Sequence, residues 1–174
     1  MKTLQTWAAA AAMVALTGAA QAALVPQGNG TVLDTNTNLI WLQNWNVKVI
    51  QNWATQMAWA EGLTFAGSSD WVLPSISDYT TLFSEVGNLI HVSAFENVRH
   101  ELFYWSGTEI SPGLSAWSFN AVTGLDFGRG ELILLFAVAV RPGDVVAAVP
   151  EPQTLALALL ALGATVVARR RRPH

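Results

Sequence analysis

Apolar and polar positions change period several times along the chain, and each change marks an element. Residues 31–34 and 39–42 are short apolar stretches separated by Thr35-Asn36-Thr37-Asn38, a polar run with turn chemistry, so the pattern predicts two paired strands. Trp53, Met57, Ala60 and Leu63 then recur at three- and four-residue spacing, which predicts a helix with one apolar stripe and Asn52 as its cap. After Gly67-Ser68-Ser69, the stretch Trp71-Val72-Leu73 reads as extended and Pro74 ends it. Ser75 and Asp78 have the spacing of a capping box, Tyr79, Leu82, Phe83 and Val86 line one face, and Gly87 stops the run, so a second helix is expected. Beyond it the pattern predicts strands at 102–106, 116–119 and 132–140, with a turn at Thr123-Gly124. Two strands, two helices and then antiparallel strands make an α+β domain.

The two ends of the chain follow different rules. Lys2, an apolar run from Trp7 to Leu16 and the small residues Ala20 and Ala22 around Gln21 have the layout of a signal peptide cleaved after Ala22. The run is too short for a permanent membrane helix. At the other end, Pro150-Glu151-Pro152 precedes an uncharged apolar run at 154–168, followed by Arg169, Arg170, Arg171 and Arg172. That run is shorter than the ~20 residues of an upright membrane helix. It inserts if the arginines snorkel to the headgroups, and the positive-inside rule then leaves them in the cytoplasm. This arrangement resembles the PEP-CTERM sorting signal of Gram-negative bacteria. The resemblance implies an exosortase-like membrane enzyme that cuts near the motif and releases the protein to the cell surface or an exopolysaccharide-rich matrix. A tail anchor that is never cut is the alternative.

Between these ends, residues 23–148 have the length of one domain with a single core. That stretch holds eleven carboxylates against four basic side chains, a balance of −7, whereas the whole chain sums to −3. Such a surface repels phosphate backbones, which argues against nucleic acid as a partner. The chain has no cysteine, so an exported domain holds here by packing alone. Seven of its eight tryptophans lie in this stretch, and aromatic faces serve cores and sugar recognition alike.

Asn29-Gly30-Thr31-Val32-Leu33-Asp34, Asn38-Leu39-Ile40-Trp41, Asp70-Trp71-Val72-Leu73-Pro74, Tyr104-Trp105-Ser106, Ala116-Trp117 and Val138-Ala139-Val140-Arg141 together resemble the Lcl C-terminal domain family, in its order. The resemblance implies a fold related to the C-type lectins and points to a namesake adhesin that binds sulfated polysaccharides. This chain has Asn38 where glycine is usual, Val72 where arginine is usual, and none of the cysteines often present. Its acidic surface disfavours sulfated sugars.

The motif residues Asp34, Trp41, Asp70, Trp71, Leu73, Pro74, Tyr104, Trp105, Ser106, Trp117 and Arg141 are expected to be mostly structural. Tryptophans in short strands fill cores, with ligand stacking as the minority role. Asp70 is expected to tie down the preceding loop through backbone hydrogen bonds, and Arg141 to pair with an acid. Asp34 to Asn38 imitates the start of a calcium loop, but Leu39 stands where the glycine is required and Trp45 where the glutamate is, so a turn is expected. His91 and His100 lack zinc-like spacing and cysteine partners, so no metal or other cofactor is expected. No Gly-x-Ser-x-Gly elbow surrounds Ser106 or any other serine. Glu96 and Glu101 are acids of the type that cut glycosidic bonds, but spacing in sequence does not supply the separation that chemistry needs. The formylglycine-generating enzymes, whose fold is related, depend on cysteine.

The expectation is therefore an exported, non-enzymatic surface or matrix protein of three parts: a signal peptide at 1–22, a C-type-lectin-like α+β domain at 23–148 and a sorting signal at 149–174 whose hydrophobic helix anchors it transiently. Its expected partner is a glycan or exopolysaccharide, bound near loops 66–69, 109–115 and 123–130. The alternative is a purely structural matrix protein with no specific ligand.

Overall fold

The computed structural model describes residues 24–101 and 103–144; the signal-peptide stretch, the sorting signal and Leu102 lie outside the described residues. Strands β1 (Leu24–Pro26), β2 (Thr31–Asp34) and β3 (Leu39–Leu42) form an antiparallel meander, and β7 (Val140–Pro142) completes a sheet in the order β1-β2-β3-β7. Helices α1 (Trp53–Glu61) and α2 (Ile76–Val86) follow, then a 3₁₀ turn at Leu89–His91. A second antiparallel sheet, β4-β5-β6, comprises Tyr104–Ser111, Ser115–Phe119 and Asp126–Gly130. The class is α+β, as the pattern requires.

Local chemistry accounts for the elements that the pattern predicts. The Asn52 side chain accepts the Thr55 N–H at 2.9 Å and starts α1. At α2, Ser75 Oγ accepts the Asp78 N–H at 3.1 Å while Asp78 Oδ2 accepts the Ser75 N–H at 2.8 Å, a complete capping box. Gly87 ends the helix at φ +73°. Between β2 and β3, Asp34 is fully buried and its carboxylate takes up the donors of the turn. Oδ1 accepts from Asn36 N–H at 2.9 Å and Thr37 N–H at 3.4 Å, and Oδ2 accepts from the Thr37 hydroxyl at 2.6 Å. Asn38 closes the turn at φ +55°, the left-handed region in which glycine and asparagine are favoured.

Three strand expectations need correction. The stretch 132–140 is not one strand. Leu132, Ile133 and Leu134 are exposed, and 135–139 is buried but changes partner at nearly every residue. Leu135 exchanges bonds with Gln51, Phe136 bridges Tyr104, the Ala139 carbonyl accepts from Leu42, and Val140 exchanges bonds with Val72. This segment joins the two sheets, and its continuous apolar character reflects burial on all sides. Second, β4 runs on to Ser111 through two register shifts. Third, β6 lies where a loop was expected, because Asp126-Phe127-Gly128-Arg129-Gly130 lacks strand-favouring residues apart from its phenylalanine. As an outer strand paired only with β5, it tolerates that composition. β1 is also an edge strand, and Pro26 suits that place.

The core is aromatic. Trp41 and Trp45 stack with centroids 5.7 Å apart and planes 10° apart, Tyr79 stacks on Phe119 at 4.9 Å, and Tyr104 meets Trp45 edge-on at 5.1 Å. Among the described residues no helix is long and apolar enough to cross a membrane.

Candidate functional site

Most of the motif residues build the scaffold. Trp41, Trp71, Leu73, Pro74, Tyr104, Trp105 and Ser106 are buried, and Trp117 is half-buried. Trp105 Nε1 donates to the Gln51 carbonyl at 3.2 Å, and the Tyr104 hydroxyl accepts the Arg99 N–H at 2.7 Å. Burial pushes the phenols of both Tyr79 and Tyr104 above the usual tyrosine range. Ser106 Oγ accepts the Thr108 N–H at 3.2 Å, and its carbonyl accepts from Trp53 Nε1 at 2.8 Å. Leu73 and Pro74 pack on Gly107, whose N–H donates to the Pro74 carbonyl at 2.8 Å; a Cβ there would stand 3.0 Å from the Leu73 carbonyl oxygen. Arg141 is buried and pairs with Asp144 at 3.3 Å while lying 5.9 Å from the Trp71 ring.

Asp70 departs from its expected role. It is exposed and bonds to none of the described residues; the preceding loop is instead closed by paired main-chain bonds between Phe65 and Ser68. Of the three loops expected to surround a ligand, 109–115 and 123–130 meet at one end only, where Ser115 pairs with Gly130. The β4-β5 turn and the Thr123-Gly124 turn lie at opposite ends of β5, separated by its five residues, or about 15 Å.

The structure offers a different site. An open cleft of about 420 Å³ is lined by Gly30, Leu42, Gln43, Asn44, Val47, Trp59, Leu63, Phe65 and Glu96. Its volume is within the range of small-ligand sites, and its lining is apolar with a few polar groups. Trp59 and Leu63 enter from the flank of α1 and the turn after it. Phe65 is held from behind by Trp71, whose Nε1 donates to the Phe65 carbonyl at 3.2 Å and whose ring meets the Phe65 ring edge-on at 6.2 Å. Gly30, at φ +84°, allows that close approach, since a Cβ there would sit 2.8 Å from the Phe65 ring. On the polar wall, Gln43 N–H donates to the Gly30 carbonyl at 2.9 Å and Glu96 N–H to the Gln43 carbonyl at 2.8 Å. Main-chain bonds thus fix Gln43 and Glu96 in place and leave their side chains uncommitted.

Of the residues weighed from sequence, Glu96 and the neighbourhood of loop 66–69 reach this cleft. Glu101 instead pairs with Arg99 at 3.4 Å and lies 3.7 Å from His100, and its carboxyl is held below the usual range by its own backbone N–H and by those cations. His91 and His100 are exposed, and the described residues contain no cluster of three or more His, Cys, Asp or Glu side chains able to hold a metal. Sequence reasoning missed Gly30, Gln43, Asn44, Trp59 and Phe65. A signal did exist for Trp59, which stands four residues before Leu63 and so extends the Trp53, Met57, Ala60 and Leu63 stripe along its Leu63 edge.

No curated protein matches the chain. A PEP-CTERM protein-sorting motif matches residues 148–172, so the protein is exported to the cell surface or beyond and sorted by an exosortase. The Lcl C-terminal domain model matches residues 30–141, a span that runs from the cleft's Gly30 to the buried Arg141 and covers both helices, the second sheet and the first sheet apart from its edge strand β1. The chain belongs to the Lcl C-terminal domain family.

Proposed function

We propose that this protein is a surface or matrix module, C-type-lectin-like in its fold relations, that binds a glycan of the extracellular matrix in the Trp59 cleft. The apolar run at 154–168 holds it transiently in the inner membrane with Arg169 to Arg172 in the cytoplasm, until an exosortase-like enzyme cuts near Pro150-Glu151-Pro152. The observation that carries the reading is the cleft. A half-buried tryptophan stands beside Gln43, Asn44 and Glu96, combining an aromatic surface for a sugar ring with polar groups for its hydroxyls. The domain acts by binding, without chemistry of its own. The test is retention of the protein on the producing cell's own exopolysaccharide, with Trp59→Ala as the comparison. Equal retention of the variant, or no retention of either protein, would reject the reading. The intact mass of protein recovered from the cell surface reports both cleavage events, and an uncut carboxyl end would reject the transient anchor.

A second reading, a structural protein that acts by self-association, is favoured by the exposed Ile110, Leu114, Leu132, Ile133 and Leu134 beside the outer strand β6. Sedimentation distinguishes them: concentration-dependent assembly without sugar supports this alternative.

A further inference from the structure

Resting on the glycan reading, the geometry points to a narrower ligand: we infer that the cleft takes a cationic amino-sugar chain, of the free-amine hexosamine type, in preference to sulfated, uronic or fully acetylated sugars. Charge complementarity carries the inference. Glu96 supplies the one charged side chain in the cleft lining, and it forms no ion pair with the described residues. The cations of the domain are placed elsewhere: Arg99 pairs with Glu101, Arg141 with Asp144, and Arg129 lies over the Phe103 ring at 4.3 Å. Lys48, next to the lining residue Val47, does not line the cleft. An anionic polymer would therefore meet a carboxylate with no cation in the lining, within a domain whose balance is −7. A protonated amine on the sugar meets Glu96 directly. It also gains from the electron-rich face of Trp59.

The uncommitted hydrogen-bonding groups suit the rest of such a sugar. Asn44 Oδ1 is occupied by the Asn46 N–H at 2.9 Å and by Asn97 Nδ2 at 3.2 Å, so Asn44 presents its amide donors, while the Gln43 carboxamide offers a donor and an acceptor. Donors to hydroxyl oxygens, one acceptor and one anion around an aromatic ring describe a hexosamine with a free amine.

The experiment titrates the full chain in mild detergent with short oligomers of glucosamine, N-acetylglucosamine and a sulfated sugar, and with oligolysine, following tryptophan emission and heat. The expected result is tightest binding of the glucosamine oligomer, about fivefold over the acetylated one, lost in Trp59→Ala, weakened about fivefold in Glu96→Gln as for one exposed charge pair, and unchanged in Asp126→Asn on the outer strand. Glu96 is exposed, so its variant decides the matter even if Trp59→Ala fails to fold. Equal binding of the acetylated oligomer, or preference for the sulfated one, would overturn the charge inference and leave the glycan reading intact. Equal binding of oligolysine would overturn it as unspecific attraction, and silence with every sugar would overturn both.

Discussion

Asp34 is the most exacting place to test how this fold is held. It is fully buried at the end of β2, and its two oxygens take three donors of the β2-β3 turn, two of them at 2.9 and 2.6 Å. Hydrogen bonds to a charged acceptor contribute about 1.5–3 kcal/mol each, so two good ones set an upper bound near 6 kcal/mol. Asn36 is exposed and Thr37 only half-buried, however, so water satisfies their donors once the carboxylate is gone, and removal also relieves the cost of burying a charge. The expected loss for Asp34→Ala is about 3 kcal/mol, a sizeable part of a domain stability of about 5–15 kcal/mol. Asp34→Asn keeps one acceptor oxygen and is expected to lose about 1 kcal/mol. Urea unfolding followed by tryptophan emission measures both, with the core pair Trp41 and Trp45 as reporters. A loss below about 0.5 kcal/mol for the alanine variant would show that the carboxylate does not organise the turn. A calcium-dependent rise in the wild-type melting temperature would be equally damaging, because it would mean the same oxygens serve an ion.

Two further predictions follow from buried polar groups. Tyr79 and Tyr104 are the chain's only tyrosines, and burial raises both phenols above their unfolded value. Their neutral forms thus favour the fold fully below about pH 10, and that stability falls as the unfolded chain ionises above it. Tyrosinate absorption should appear only together with loss of near-ultraviolet circular dichroism, and ionisation of a folded protein near pH ~10 would contradict the burial. Gln56 is fully buried and donates from Nε2 to the Val49 and Leu135 carbonyls, both at 3.0 Å, which pins the seam between the sheets. Gln56→Leu is expected to cost about 1–3 kcal/mol and to speed amide exchange at Leu135 and Gln51. Unchanged exchange there would show that the seam holds without it.

Gln56 also shows where sequence reading stops. The α1 stripe pointed to Trp53, Met57, Ala60 and Leu63, yet the residues most deeply buried on that helix are Ala60 and the polar Gln56, which lies on the same face. A glutamine becomes a core residue here because its amide finds two acceptors, the nearby Val49 carbonyl and the Leu135 carbonyl, which comes from a distant segment and also accepts the Gln51 N–H. The 126–130 part of the expected loop 123–130 became a strand for a similar reason, since β5 lends the ladder that Gly128 and Gly130 do not favour by themselves.

What the sequence by itself determined are the features whose physics is local. The caps of both helices, the β2-β3 hairpin with its Asp34 turn, the acidic balance and the sorting signal depend on neighbours within a few residues, and they are legible in order along the chain. Only the tertiary structure decided the partner-changing course of 135–139, the burial of Gln56, and the cleft that draws Gly30, Gln43, Trp59, Phe65 and Glu96 from five separate stretches. Contacts between residues far apart in sequence carry no periodic signature. They form because burying the aromatic core around Trp41, Trp45 and Tyr79 brings those stretches together, and the surface left open by that packing is the candidate site.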